Sequence, residues 1–123
     1  MEENRAWGYQ LSLDLKRCNP DKIRDENYIK QFVKDLVETI KMTPYGEPLL
    51  VRFGKDPSVT GYSLVQLIEE SNICAHFIEN INSVCLDIFS CKDFEPMDAE
   101  EFCMKYFEAE DCDTYYLERM IDI

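Results

Sequence analysis

Apolar and polar residues alternate near the start of the chain. Three leucines are separated by polar residues between positions 11 and 16, which is typical of a half-buried strand and predicts one over about residues 8–16. From Asp25 the apolar positions change to the spacing of one helical face, i, i+3, i+4, i+7 and i+11. This spacing predicts a helix over about residues 25–42, with these apolar side chains turned to the core: Ile29, Phe32, Val33, Leu36 and Ile40.

Shorter apolar segments follow the helix and predict a sheet. Pro44, Gly46 and Pro48 are typical of a break, and the residues after them predict a second strand over 49–53. Three further apolar segments alternate with polar turns, so consecutive strands joined by hairpins are the simplest interpretation. These three strands are expected at residues 61–69, 73–77 and 84–89.

The C-terminal part of the chain predicts a second helix and a last strand. Pro96, followed by Asp98 and then by Glu101, is typical of a helix start. The acidic residues 108–113 are expected in a solvated loop, before a strand at about 114–121. Strands joined mostly by hairpins, with two helices between them, favour an α+β two-layer sandwich in which both helices pack on one face of a mostly antiparallel sheet.

Composition favours one folded domain over residues 1–123. Apolar residues make up 46% of the chain and aromatic residues 12%, while Gly and Pro number only 4 and 5, so no stretch is typical of a disordered linker. The net charge of −12 repels phosphate backbones and anionic lipids. We therefore expect neither nucleic acids nor membranes as partners, whereas a small cationic ligand would be attracted.

Cysteine and histidine content argues against a metal site. Six cysteines are present without a CxxC pair, and His76 is the only histidine, so a zinc site has few ligands to use. The polar N-terminus and the short apolar runs predict neither a signal peptide nor a membrane span. We therefore expect a cytoplasmic protein with reduced thiols and no bound metal.

Several reactive side chains are regularly spaced in the middle of the chain. Ser63 lies two residues after a glycine, and Glu70 is followed directly by Ser71. His76 comes five residues after Ser71, and Cys91 comes twenty residues after it. Taken alone, each of these residues is more often structural. Their types and spacing together, however, resemble the pattern of the prokaryotic S-adenosylmethionine decarboxylases. These are small pyruvoyl-dependent enzymes that generate their own cofactor by self-cleavage.

The resemblance implies a role for each of these residues. The chain would cleave itself between Glu70 and Ser71, and Ser71 would become the pyruvoyl group, an electron sink for loss of CO2. Ser63 and His76 would serve the proton transfers of self-cleavage, and Cys91 would return a proton to the product. A hydroxyl, an imidazole and a thiol suit these roles, because each can donate and accept a proton.

Substrate contacts match the family less well. Phe53 and Asp14 resemble the family's aromatic and acidic substrate-binding residues. Ile78 stands where the family has an aromatic residue that helps to hold adenine, and Asn80 where it has a carboxylate near the ribose. Beside decarboxylation of S-adenosylmethionine for spermidine synthesis, two hypotheses stay open: a decarboxylase for a smaller cationic amino acid such as ornithine or arginine, and an uncleaved, non-enzymatic dimer.

Strand geometry predicts that the site needs two chains. Ser71 and His76 lie about 16 Å apart in an extended strand, so they cannot meet within one subunit. The expected hairpins place Ser71 opposite Cys91, and Ser63 opposite His76. Two separate half-sites favour a homodimer with composite active sites, which the family resemblance also implies. Because Ser71 and His76 have opposite strand parity, we also expect a bulge or turn near Ser71.

Overall fold

A computed structural model describes residues 6–121 of the chain. The polar residues 1–5, on which the prediction of no signal peptide rests, lie outside this range. Six strands and two α-helices are present in the described part. The helices are α1 (Glu26–Thr39) and α2 (Pro96–Tyr106). The strands are β1 (Gly8–Lys16), β2 (Pro44–Phe53), β3 (Gly61–Ile68), β4 (Ser71–Ile78), β5 (Ser83–Ser90) and β6 (Asp111–Arg119).

The strands form one antiparallel sheet in the order β2-β3-β4-β5-β1-β6. Alternate side chains of its central strands are fully buried, among them Leu13 in β1 and Phe77 in β4. They share one hydrophobic core with the apolar sides of both helices; the Phe77 ring, for example, contacts the ring of Phe107, just after α2, at a centroid distance of 5.4 Å. Both helices therefore cover the same face, and the predicted α+β two-layer sandwich is confirmed.

Helix α1 begins close to its predicted start, where Asp25 caps it, and ends earlier than predicted. The Asp25 carboxylate accepts a hydrogen bond from the Tyr28 N–H at 3.1 Å, as an N-cap residue does. The helix ends at Thr39, before the predicted residue 42. Lys41 then has a φ of 61°, a left-handed conformation that turns the chain towards β2.

Helix α2 begins at Pro96 as predicted, but the preceding residue provides its cap. The Glu95 carboxylate accepts a hydrogen bond from the Met97 N–H at 3.3 Å, so the expected pair of Asp98 and Glu101 is not the capping device. Neither this helix nor any other in residues 6–121 is long and apolar enough to cross a membrane.

Strand β2 is longer than predicted because it lies at the edge of the sheet. It begins at Pro44, the first of the three residues predicted to form a break, rather than after them. An edge strand tolerates proline, since one side of its backbone needs no partner. Its pairing register shifts between Tyr45 and Leu49, and the buried Gln66 side chain donates to the carbonyls of Tyr45 and Gly46. The predicted break is therefore an irregularity within a strand.

Strand β6 begins earlier than predicted, inside the acidic segment. Asp111 pairs with Lys16, and Asp113 pairs with Asp14. The Lys16 ammonium lies 2.6 Å from the Asp113 carboxylate, and the exposed face of the sheet keeps these charges hydrated. The loop expected over residues 108–113 is therefore shorter, because the strand already begins at Asp111. The strand ends at Arg119.

Candidate active site

The sheet face turned away from the helices carries a row of reactive side chains. Ser63 in β3 pairs with His76 in β4, His76 pairs with Cys85 in β5, and Cys85 pairs with Asp14 in β1. Neighbouring strands are about 4.8 Å apart, so each side chain can contact the next. We call this sheet surface the open face.

Ser63 and His76 are in direct contact. The Ser63 Oγ lies 2.9 Å from the His76 Nδ1, and the predicted register between these residues is confirmed. The other ring nitrogen, Nε2, lies 3.1 Å from the backbone carbonyl oxygen of Val59. A hydroxyl in contact with an imidazole can pass a proton in either direction.

The predicted cleavage site lies in the tight turn between β3 and β4. Ile68 pairs with Ser71, so Glu69 and Glu70 form a two-residue turn. The Glu70 carbonyl accepts a hydrogen bond from the Cys91 N–H at 3.0 Å. An N–H donor on a carbonyl oxygen polarises the carbonyl towards nucleophilic attack. The fold therefore brings Cys91 beside the bond between Glu70 and Ser71.

The Glu70 carboxylate is anchored as well. It accepts a hydrogen bond from the Thr43 N–H at 3.0 Å, while the Glu69 N–H donates to the Thr43 carbonyl at 2.9 Å. Burial alone would raise the pKa of this carboxyl, but bonds from the backbone N–H groups of Thr43 and Glu70 and the charge of Lys92 lower the pKa below its usual value. The turn is thus held against the segment that leads into β2.

One predicted register is wrong by one residue. Ser71 pairs with Ser90, not with Cys91. The turn between β4 and β5 spans residues 79–82 and includes Asn82 in a left-handed conformation, so it has an even number of residues, whereas the prediction assumed one central residue. Cys91 therefore follows β5 and reaches the cleavage site through its backbone N–H.

The expected correction of strand parity by a bulge or turn near Ser71 is not found: the turn at residues 69–70 lies immediately before Ser71, and β4 contains no bulge. Strand β4 is described throughout and pairs with both neighbours without a register shift. The buried Ile73 marks its helix-facing side, so strand parity places Ser71 on that side and His76 on the open face. One chain therefore holds two separate groups about 16 Å apart: Ser63 with His76, and Ser71 with the Cys91 backbone.

The two predicted substrate-binding residues both lie on the open face, but apart from each other. Phe53 pairs with Gly61, two residues from Ser63 along β3, and its side chain is 56% exposed. Asp14 pairs with Cys85 at the other end of the row. Burial raises the pKa of the Cys85 thiol, and the charge and hydrogen bond of Asp14 raise it further.

Sequence reasoning missed an ion pair beside the site. The Glu79 carboxylate accepts two hydrogen bonds from the Arg52 guanidinium, at 2.8 and 2.9 Å, and its side chain is only 11% exposed. The Arg52 hydrogen bond lowers the pKa of Glu79 below its usual value, and Arg24 lies 3.8 Å from the same carboxylate. Arg52 and Glu79 are 27 residues apart and meet only in the fold, so no local pattern could reveal the pair.

A metal centre finds no support in the described residues. No group of three or more His, Cys, Asp or Glu side chains within 6–121 is arranged to hold an ion.

Comparison with known proteins identifies related chains along nearly the whole length. The profile of the S-adenosylmethionine decarboxylase family matches residues 9–120. The S-adenosylmethionine decarboxylase proenzyme of Thermodesulfovibrio yellowstonii is 27% identical over 105 residues, which cover 85% of this chain and 74% of that protein. The arginine decarboxylase proenzyme of Ignicoccus hospitalis is 28% identical over 122 residues, covering 95% of this chain and 80% of that protein.

A solved structure shares the fold. The crystal structure of the adenosylmethionine decarboxylase from Aquifex aeolicus superimposes with a TM-score of 0.82, over 97% of this chain and 95% of that one, at 20% identity. Together with the family match over residues 9–120, this shows that the chain belongs to the S-adenosylmethionine decarboxylase family.

Proposed function

We propose that this protein is a self-processing, pyruvoyl-dependent decarboxylase that acts on S-adenosylmethionine in spermidine synthesis. The hydrogen bond from the Cys91 N–H to the Glu70 carbonyl carries the proposal, because Ser71 follows that carbonyl directly in a tight turn. A polarised carbonyl and an adjacent hydroxyl are the two groups that self-cleavage requires. Relatives with proenzyme names support the same activity.

Self-cleavage begins at this turn. The Ser71 Oγ attacks the Glu70 carbonyl carbon, the C–N bond breaks, and an ester joins the two parts of the chain. The Cys91 N–H stabilises the negative charge that develops on the Glu70 oxygen. Elimination releases Glu70 as a free carboxylate, and hydrolysis of the remaining Ser71 residue releases ammonia. The pyruvoyl group left on residue 71 supplies the electron sink for loss of CO2 from the substrate.

Proton transfers fall to the other predicted residues. The Ser63 hydroxyl and the His76 imidazole are in hydrogen-bond contact, so together they can remove the proton that elimination releases. The Cys91 thiol is exposed and follows β5 next to the cleavage site, where it can return a proton to the product.

The Ser63–His76 pair must come from a second copy of the chain. Within one chain, His76 is too far from Ser71 to act on it. Large apolar side chains are more than half exposed on the open face of β2 and β3, and an exposed apolar surface of this kind is typical of a protein interface. Ser71 is the first residue of β4 and is only partly buried, so a second copy packed on the open face can approach it at the end of the strand. We therefore propose a homodimer in which the partner's His76 serves the Ser71 of each chain. The exposed side chains are Tyr45 at 69%, Leu49 at 63%, Phe53 at 56% and Leu67 at 52%.

The substrate is a cationic, amino-acid-like molecule. Asp14 and Asp87 add carboxylates to the open face, and the net charge of −12 favours a positively charged ligand. Arginine is the second candidate, because the turn after His76 offers no free carboxylate for a ribose: Asn80 is neutral, and Glu79 is held by Arg52. The arginine decarboxylase proenzyme among the relatives supports the same alternative.

Intact-mass spectrometry of the purified protein tests self-cleavage. We expect two chains that separate between Glu70 and Ser71, the second with a blocked N-terminus. Ser71→Ala removes the attacking hydroxyl and should leave one chain, whereas Ser83→Ala should still cleave. A wild-type protein that stays a single chain after prolonged incubation would contradict the proposal.

Release of labelled CO2 from carboxyl-labelled substrates then identifies the substrate. We expect turnover of S-adenosylmethionine by the cleaved protein and none by Ser71→Ala. Turnover of arginine without turnover of S-adenosylmethionine would select the second candidate instead.

A further inference from the structure

The two ring nitrogens of His76 face partners of different chemistry. A backbone carbonyl oxygen can only accept a hydrogen bond, so the Nε2 atom, 3.1 Å from the Val59 oxygen, must carry the hydrogen. In a neutral imidazole, Nδ1 is then a bare acceptor. The Ser63 hydroxyl at 2.9 Å therefore donates to Nδ1.

Val59 is presented to His76 by a short, internally bonded loop. The Asp56 carboxylate accepts hydrogen bonds from the N–H and the hydroxyl of Ser58, at 3.0 and 2.9 Å, and these bonds hold the pKa of Asp56 below its usual value. The Asp56 carbonyl accepts bonds from the Val59 N–H at 3.0 Å and the Thr60 hydroxyl at 2.9 Å. We call residues 56–60 the Asp56 loop.

The same loop is tied to the strand that carries the imidazole. The Thr60 carbonyl accepts a hydrogen bond from the Glu79 N–H at 3.0 Å, directly after the end of β4. The Val59 carbonyl is thus held at both ends, by Asp56 before it and by β4 after it. The opposite tautomer would turn a bare Nε2 towards this oxygen, and two lone pairs would face each other.

We infer that the Asp56 loop is a positioning element that sets His76 in the Nε2–H tautomer, so that Nδ1 is the atom that accepts a proton from Ser63. Asp56 acts through the Val59 carbonyl, and its own carboxylate bonds to Ser58 rather than to a group at the cleavage site. Its effect on self-cleavage rests on the proposed function, whereas its effect on the tautomer does not.

Nitrogen-15 NMR of the imidazole tests the inference directly, because His76 is the only histidine. The spectra are recorded on the full-length Ser71→Ala chain after tag removal, at a pH where the ring signals no longer change. We expect a protonated-type shift at Nε2 and a bare-type shift at Nδ1. Adding Asp56→Ala should narrow the difference between the two shifts, and Asp56→Asn, which keeps an acceptor, should restore it.

Asp25→Ala is the matched control, since it also removes a capping carboxylate, one that accepts from Tyr28 at the start of α1. It should lower thermal stability without changing the imidazole shifts. In chains that keep Ser71, Asp56→Ala should slow self-cleavage about tenfold, and Asp25→Ala should leave its rate unchanged.

Three results would overturn the inference. The first is an Nδ1–H signature in the reference chain, the second is an unchanged tautomer in Asp56→Ala, and the third is equal narrowing in Asp25→Ala. If the wild type does not cleave itself but the imidazole shifts follow the expected tautomer pattern, the proposed function is contradicted and the inference about the Asp56 loop is not.

Discussion

Gly61 shows how the absence of a side chain sets the geometry of the site. Its φ is +148°, a conformation that glycine adopts readily and other residues rarely do. A Cβ at this position would lie 1.6 Å from the Phe77 carbonyl oxygen. Gly61 stands two residues before Ser63 and opposite Phe53, so the close approach of β3 and β4 at the candidate site depends on it.

Replacing Gly61 by Ala should destabilise the fold by about 3 kcal/mol, because the backbone of β4 must move away from the added methyl group. Gly46→Ala is the control. Gly46 also has a positive φ, of +70°, but nothing lies within 4 Å of the added Cβ, so the expected loss is about 1 kcal/mol. Urea unfolding of both variants in a Ser71→Ala chain measures the difference. Equal losses would show that the contact with Phe77 is unimportant.

At the scale of elements, the edge strand β2 depends on an ion pair at its end. The sheet gives β2 one neighbour, β3, and the Arg52–Glu79 pair adds a link to the turn after β4. Because the Glu79 side chain is only 11% exposed, removal of its partner would leave a poorly hydrated charge. The pair therefore stabilises both the strand and the turn that follows His76.

The stability that Glu79 contributes should depend on pH. Its pKa in the folded chain is lowered from 4.5 by Arg52, so the contribution is present above the unfolded pKa and is lost as the pH falls through the folded one. We expect wild type to exceed Glu79→Gln in unfolding free energy at pH 7 and this gap to shrink below pH 4.5. Glu38→Gln, at an exposed position of α1, should differ little from wild type in unfolding free energy at any pH between 3 and 7. A Glu79→Gln gap that is equal at pH 7 and pH 3 would contradict this account.

On the scale of the whole molecule, the separation of the two reactive groups is the reason for the proposed dimer. Ser71 and His76 lie in one unbroken strand on opposite faces of the sheet, and no change of rotamer spans about 16 Å. The apolar open face provides a surface for a second copy. A composite site would then couple self-cleavage to dimer formation.

Co-expression of Ser71→Ala and His76→Ala chains with distinguishable tags should restore cleavage that neither variant shows alone. In a mixed dimer, Ser71 of the His76→Ala chain meets the partner's His76. With random pairing at equal amounts, about half of the His76→Ala chains should be cleaved, and none of the Ser71→Ala chains. Mass spectrometry identifies which chain was cut.

The control pairs His76→Ala with the double variant Ser71→Ala, His76→Ala, where no chain supplies the imidazole, and it should stay uncleaved. A monomeric mass in sedimentation at working concentration, together with self-cleavage, would rule out the composite site.

Much of the fold and part of the site could be predicted from the sequence. Apolar periodicity is a local property, since each element turns one face to the core, and it therefore predicted the presence and order of all six strands and both helices. The start of β2 was missed by five residues and the start of β6 by three. The two-residue turn between β3 and β4 leaves little freedom of register, which is why the pairing of Ser63 with His76 was predictable as well.

Only the tertiary structure decided the features that depend on distant residues. The order of strands makes β2 an edge, where Pro44 can begin a strand. The even turn between β4 and β5 aligned Ser71 with Ser90 instead of Cys91. The contacts of Arg52 with Glu79 and of the Cys91 N–H with Glu70 join residues far apart along the chain. Local patterns show which face of an element is buried, but not which other element lies against it.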